Sequence, residues 1–320
     1  MSEARLGVFA WDVPTSLEQD RQRAALWLLL VAAGCALLVL AVDHVFVLTA
    51  RGQLVDSAGL EGAQIGRTRI IEPVHTVLDV VSVGALAAAG LVAAGVALLR
   101  RRVPLALVAV GTLVGSNVTT QLLKHTVLQR PDLGIATLGM TGNTLPSGHT
   151  TAAVSVAAAA LLVAPARLRG VVAVVSAAYG AATGVATLSA GYHRPSDAVA
   201  AALVVGAWAA GLGAIVVVAQ PPTAPDETEA DEHEARRGHP VVSTLLGAAA
   251  ATLLGVGAVA TYVTARRLPS DLDRPGLLLA YGGGAALIAG TAVAVVAALV
   301  VVVHRIAPPL PVRRESMLVG

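Results

Sequence analysis

Three polar clusters interrupt a chain that is otherwise strongly apolar, and their residue types and spacing suit chemistry on an anion. Lys124 precedes Arg130-Pro131, Pro146-Ser147-Gly148-His149 opens the next apolar run, and His193-Arg194-Pro195-Ser196-Asp197 opens a later one. Ser147 and Gly148 stand just before a helix start, where unpaired backbone N–H groups point outward and attract negative charge. Gly148 lets an oxyanion approach the backbone closely. Lys124 supplies a point charge, and Arg130 a planar fork matched to two phosphate oxygens. His193 and Asp197 are four residues apart, so the carboxylate can reach the imidazole within one helical turn. A carboxylate on one ring nitrogen fixes the tautomer and leaves the other nitrogen free to attack, while His149 remains to protonate a leaving oxygen. Each cluster has an ordinary explanation as well: Asp197 suits a first helical turn, and Pro-Ser-Gly is common in loops. Ionisable residues bordering apolar spans are expensive, however, and the convergence of three clusters favours a functional site.

The elements that must position these residues follow from composition. Of the 320 residues, 56% are hydrophobic and 13% charged, and the mean hydropathy is +0.75; the bilayer, not water, is the solvent. Apolar runs long enough to span occur at 25–49, 75–99, 103–127, 149–165, 170–190, 197–219, 241–264 and 276–304, or about eight helices. Aromatic residues are only 3%, and the abundance of Ala, Val, Leu and Gly suits helices that pack through small side chains. The net charge of +2 is too small to imply a nucleic-acid partner. Cys35 is the sole cysteine, which leaves no intramolecular disulfide and no cysteine metal site.

Arginine asymmetry sets the expected topology. The amino terminus and alternate loops carry 13 arginines (5, 21, 23, 100, 101, 102, 167, 169, 236, 237, 305, 313 and 314), against 8 on the other side (51, 67, 69, 130, 194, 266, 267 and 274). Both termini are therefore expected in the cytoplasm, with all three polar clusters at the extracytoplasmic face of the plasma membrane. Arg167 and Arg169 are expected to snorkel to the interface after the short run 149–165.

The expected fold is an all-α polytopic membrane bundle. Residues 1–24 form a cytosolic or interfacial segment with a capping-box pair at Thr15 and Glu18, 25–219 a six-span core, 220–240 an acidic Pro-rich flexible linker, 241–304 a two-span hairpin, and 305–320 a cytosolic tail. No signal peptide is evident, so the first run is expected to act as an uncleaved anchor. The sequon Asn117-Val118-Thr119 falls inside a span, where no glycosyltransferase reaches it.

The clusters resemble the signature of the type 2 phosphatidic acid phosphatase superfamily, which shares its site with vanadium haloperoxidases. That signature runs Lys-x6-Arg-Pro, Pro-Ser-Gly-His and Ser-Arg-x5-His-x3-Asp on a six-helix bundle, and the likeness covers about residues 25–219. Pro146-Ser147-Gly148-His149 matches completely, as does His193-x3-Asp197. The resemblance implies that His193 is a nucleophile forming a phosphohistidine and Asp197 its orienting partner. His149 would be the general acid and then the base for water, with Lys124, Arg130, Ser147 and Gly148 holding phosphoryl oxygens and no metal or other cofactor required. The sequence departs from the signature twice. Lys124 and Arg130 are separated by five residues instead of six, and Ala186 and Thr187 replace the Ser-Arg pair, removing one phosphate clamp. Arg194, beside the nucleophile, is the candidate substitute.

The expected function is a membrane phosphatase acting on a lipid phosphate or prenyl pyrophosphate, with the bilayer and its lipid as partners. The rivals are a phosphotransferase to an alcohol acceptor and a non-catalytic lipid-binding or transport protein with a degenerate site; a haloperoxidase fits a membrane-embedded pocket least. Glu72, His75 and Asp79 share one helix face and could line a substrate path, with metal binding a weaker alternative.

Overall fold

The computed structural model describes residues 15–69, 71–79, 83–99, 103–135, 142–219 and 229–306, and among them every regular element is helical. In chain order the α-helices are α1 Thr15–Val42, α2 Ala50–Gln64, α3 Ile71–Asp79, α4 Val83–Leu99, α5 Val103–Leu122, α6 Gly148–Val163, α7 Ala166–Ser189, α8 Pro195–Ala219, α9 Glu229–Arg267 and α10 Arg274–Ile306. Among the described residues six helical stretches are long and apolar enough to cross a membrane: Glu18–Val47, Val103–Val127, Ala166–Ser189, Pro195–Ala219, Val241–Arg267 and Arg274–Val303. Gly84–Leu99 and Gly148–Val163 are shorter apolar helices at the places of the second and fourth expected spans. The chain is a polytopic all-α bundle. Residues 1–14, Arg100 to Arg102, 220–228 and the tail from 307 onward lie outside the described residues.

The bundle is organised around α8, whose Ala-rich and Val-rich surface is buried along most of its length and packs against α1, α5, α6 and α10. Small residues set those distances, because without a hydrophobic drive between helices in lipid the close approach of backbones supplies the attraction. A Cβ added at Gly206 would sit 3.1 Å from Cys35 Sγ on α1 and 3.3 Å from Val295 Cγ2 on α10. One at Gly115 on α5 would sit 2.6 Å from the Trp208 ring. Polar side chains tie the same helices together: Trp208 Nε1 donates to Thr119 Oγ1 (3.0 Å), and Asn117 of the sequon donates to Ser155 Oγ (3.0 Å).

The expected span 75–99 carries α3, to Asp79, and the apolar α4, from Val83, and residues 80–82 between them lie outside the described residues. Two differences from the sequence expectation affect the site. Residues 50–64, which lie in an expected connection, form the buried helix α2. Its glycines look like loop residues in the sequence, but they are there for contact. A Cβ at Gly52 would overlap the Val45 carbonyl, one at Gly62 would overlap the Leu277 carbonyl, and one at Gly59 would stand 2.8 Å from Pro195 Cγ. Arg169, expected at the interface, is buried and donates from Nε to the Ala164 carbonyl at the end of α6 (3.2 Å). Burial satisfies a carbonyl that the helix terminus leaves unpaired.

The carboxy-terminal hairpin meets the rest of the chain chiefly through α10, which packs against α2, α7 and α8, while α9 touches α2 and α7. Val296, Leu299 and Val303 of α10 share a core cluster with Leu161 and Leu162 of α6, Ala173 of α7 and Val205 of α8. Much of α9, by contrast, is exposed on the outside of the bundle, as expected of a lipid-facing helix. It begins at Glu229, inside the stretch whose composition reads as a linker.

Candidate active site

The turn between α7 and α8 delivers His193. Helix α7 ends in a Schellman motif: Tyr192 N donates to Thr187 O (3.0 Å) and Gly191 N to Leu188 O (2.9 Å). Gly191 takes the left-handed conformation the motif requires, with φ +74°. The Thr187 carbonyl also accepts from His193 N (3.3 Å), and its hydroxyl donates to Gly184 O (2.7 Å). Where the phosphatase signature carries an arginine, this chain therefore has a fully buried threonine that holds the turn.

Asp197, in the first turn of α8, is a point of convergence. Its Oδ2 accepts from His193 Nδ1 (3.1 Å), Thr144 Oγ1 (2.6 Å) and Arg194 N (3.0 Å). With Nδ1 carrying the proton toward Asp197, Nε2 is the histidine nitrogen left with a lone pair. Both side chains are nearly inaccessible, at 7% and 1% exposure, which fixes the imidazole in one orientation. Arg194 is completely buried, and its Nη1 donates to Thr144 Oγ1 (3.0 Å), so Thr144 links the guanidinium to the carboxylate.

Across from this pair, α6 begins at Gly148. Ser147 is its N-cap, accepting from Thr150 N (3.3 Å) and donating its own N–H to the Asp197 carbonyl (2.9 Å). That bond fixes the start of α6 to the start of α8, so two helix amino termini face one region, an arrangement that favours an anion. His149, half-buried, lies within electrostatic range of both His193 and Lys124.

Lys124 and Arg130 reach the site by a route that the helical wheel does not describe. After α5 the chain takes one π turn, Leu123–Val127, and Leu128 is extended. The helix thus ends three residues before Arg130, so the five-residue spacing sets no helical phase between the two cations. Asn143 holds this end in place by donating to the carbonyls of Lys124 (3.3 Å) and Leu128 (3.1 Å), and Gln53 of α2 donates to the Pro131 carbonyl (3.0 Å). Burial, and then the nearby Arg194 guanidinium, push Arg130 down from the usual arginine range, while Asp56 and Asp197 oppose the shift. Arg130 Nη2 is buried without a hydrogen-bond partner among the described residues. A guanidinium with an unused donor beside a second guanidinium is suited to an anion.

Several participants were not singled out from the sequence. Asp56 of α2 accepts from Ser196 N (3.0 Å) and Ser196 Oγ (2.6 Å), capping α8 from another helix. Burial first, and the Asp197 carboxylate second, push Asp56 up to about 7. Thr144 and Asn143 are ordinary loop residues in the sequence. Tyr192 lies between two histidines: its hydroxyl is 3.2 Å from His75 Nε2, and its ring centroid is 6.4 Å from that of His149. Of the trio on α3, only His75 makes this link, while Glu72 and Asp79 are exposed. Among the described residues no group of three His, Cys, Asp or Glu side chains is placed to hold a metal.

The matched segment and the site coincide. Residues 105–221 match the family model of the PAP2 superfamily. The PAP2 match takes in Lys124, Arg130, Ser147, Gly148, His149, His193, Arg194 and Asp197, and it suggests phosphatase-type activity. Helices α1 to α4, α9 and α10 lie outside the PAP2 segment. No curated protein and no solved structure was found to match the chain.

Proposed function

We propose that this chain is an integral-membrane phosphatase that hydrolyses a lipid phosphate or prenyl pyrophosphate through a phosphohistidine, without a metal. The observation that carries the reading is the buried His193–Asp197 pair, with His149 and Lys124 within electrostatic range across the site. In the first step His193 Nε2 attacks phosphorus, the bond from phosphorus to the leaving oxygen breaks, and His149 gives that oxygen its proton. In the second, water attacks the phosphohistidine and loses a proton to His149, releasing phosphate and restoring both histidines. Lys124, Arg130 and the backbone N–H groups after Ser147 would offset charge on the equatorial oxygens. Arg194 would contribute the third cation where Thr187 cannot.

A lipid substrate suits the surroundings. A cavity of about 440 Å³ lies between α1, α8, α9 and α10, lined by apolar side chains such as Leu38, Phe46, Leu203 and Leu299, and a hydrocarbon chain would rest there without desolvating polar groups. The arginine asymmetry supports an extracytoplasmic site in the plasma membrane with both termini in the cytoplasm. The test is phosphate release from a lipid-phosphate panel by the purified protein and by His193→Ala. We expect a loss of at least about a thousandfold in the variant, with an acid-labile phosphoryl group trapped on the parent protein and absent from the variant; equal release from both would refute the mechanism.

A further inference from the structure

A second set of polar groups lies beside the site, on the segment joining α2 to α3, outside the residues of the family match. Gln64 Nε2 and Arg67 Nη1 lie 3.0 Å and 3.1 Å from where a Cβ on Gly191 would stand, so both donors cover the turn two residues before His193. Gln64 Oε1 accepts from Arg67 Nη1 (2.9 Å), which orients the guanidinium. Among the described residues no carboxylate forms an ion pair with Arg67. Next to it, the His75 and Tyr192 rings stack at 6.2 Å with 15° between planes, and the same tyrosine ring neighbours His149 at 6.4 Å.

His149 identifies which side of the site this is. As the acid for the leaving oxygen it must face the leaving group, so Arg67, His75 and Tyr192 border the leaving-group side. For a lipid monophosphate the leaving group is a neutral alcohol, and an unpaired guanidinium there has nothing to neutralise. For a lipid diphosphate the leaving group is itself a phosphate, and its charge matches the rim.

We propose that Arg67, His75 and Tyr192 form a subsite for the inner phosphate of a lipid diphosphate, making diphosphates the preferred substrate class. The proposal rests on the phosphatase reading and deepens it. His193 attacks the outer phosphorus, the bridging oxygen leaves with the inner phosphate and takes the proton of His149, and the products are phosphate and a lipid monophosphate. Arg67 and the Tyr192–His75 pair donate hydrogen bonds to the inner phosphate and undergo no covalent change.

The experiment compares farnesyl diphosphate with farnesyl monophosphate on the full-length protein and on Arg67→Ala, Arg67→Lys and His75→Ala. We expect the parent protein to favour the diphosphate and Arg67→Ala to lower the diphosphate-to-monophosphate ratio of kcat/KM about tenfold or more, since charge-assisted hydrogen bonds are at stake. Arg67→Lys should restore part of the ratio, and His75→Ala should lower it by a smaller factor. Equal losses on both substrates would show that Arg67 only supports the Gly191 turn and would overturn the subsite. A parent protein that prefers the monophosphate would also overturn it while leaving the phosphatase reading intact. No phosphate release from either substrate or from the wider lipid panel would overturn both.

Discussion

At the residue scale, the site depends on buried carboxylates that do different work. Asp197 collects three donors on one oxygen and orients His193, whereas Asp56 caps the same helix through Ser196. Burial and the neighbouring Asp197 raise Asp56 to about 7 from an ordinary aspartate value of 3.8. A raised folded-state value means that the folded protein binds the proton more tightly than the unfolded chain does. The associated stability is therefore fully present below the unfolded value and is lost as pH rises through the folded one. We expect the thermal midpoint of the detergent-solubilised protein to fall between about pH 4 and about pH 7, and Asp56→Asn to flatten that fall. An undiminished slope in the variant would assign the titration to another group. Asp197 was legible in the sequence because its spacing from His193 is a local property. Asp56 was not, since its partner Ser196 is 140 positions away.

At the element scale, helix ends do most of the positioning. Helix α6 starts on Ser147, α7 stops on Gly191, α8 starts on Pro195 and is capped by Asp56, and α5 ends in a π turn that releases Arg130 from helical geometry. The Gly191 turn is the most exposed to mutation. The atoms nearest to a Cβ there are the flexible ends of Gln64 and Arg67, so the cost of substitution lies chiefly in the backbone conformation. Gly191→Ala should lower stability by about 1–2 kcal/mol and reduce phosphate release further by displacing His193, while Gly191→Asn should be milder because asparagine tolerates that region. Thermal unfolding and initial rates measured on the same preparations check both. The cap at Ser147 and the proline at the start of α8 are visible in the sequence because capping is governed by adjacent residues. The π turn is not, and beyond it Arg130 no longer keeps a helical phase with Lys124.

At the scale of the whole molecule, the carboxy-terminal hairpin has a structural role that its position outside the family match conceals. Helix α10 contributes Val296, Leu299 and Val303 to the core, and Gly284 packs against Pro195 at the start of α8, where a Cβ would meet the proline ring at 2.6 Å. Ending the chain before α9 would expose those faces of α7 and α8 and uncover α2, which holds Asp56. We expect such a truncation to fail to give a monodisperse, active species in detergent, whereas a six-helix unit that folds by itself would purify and release phosphate normally. Size-exclusion profiles and phosphate release on the two chains decide between them. Helix α9, mostly on the outside, should tolerate polar-to-apolar changes far better than α10.

By itself the sequence determined the solvent and the helical class, and it singled out the short motifs of the candidate site. Apolar runs of spanning length leave the backbone no alternative to helix in lipid, and motifs confined to four or five residues carry their geometry with them. That is why Pro146 to His149 and His193 to Asp197 were readable without coordinates. The three clusters were expected to share a site from their residue types, the arginine asymmetry and the family resemblance, and only the tertiary structure shows what joins them. The Ser147–Asp197 backbone bond, the Thr144 bridge and the Gln53 contact to Pro131 cross between elements far apart in the chain. Helix α2 makes the same point, because its glycines are explained by the helices they touch and not by their neighbours in sequence. Local spacing fixes local geometry, whereas a candidate site assembled from several segments depends on how the helices pack.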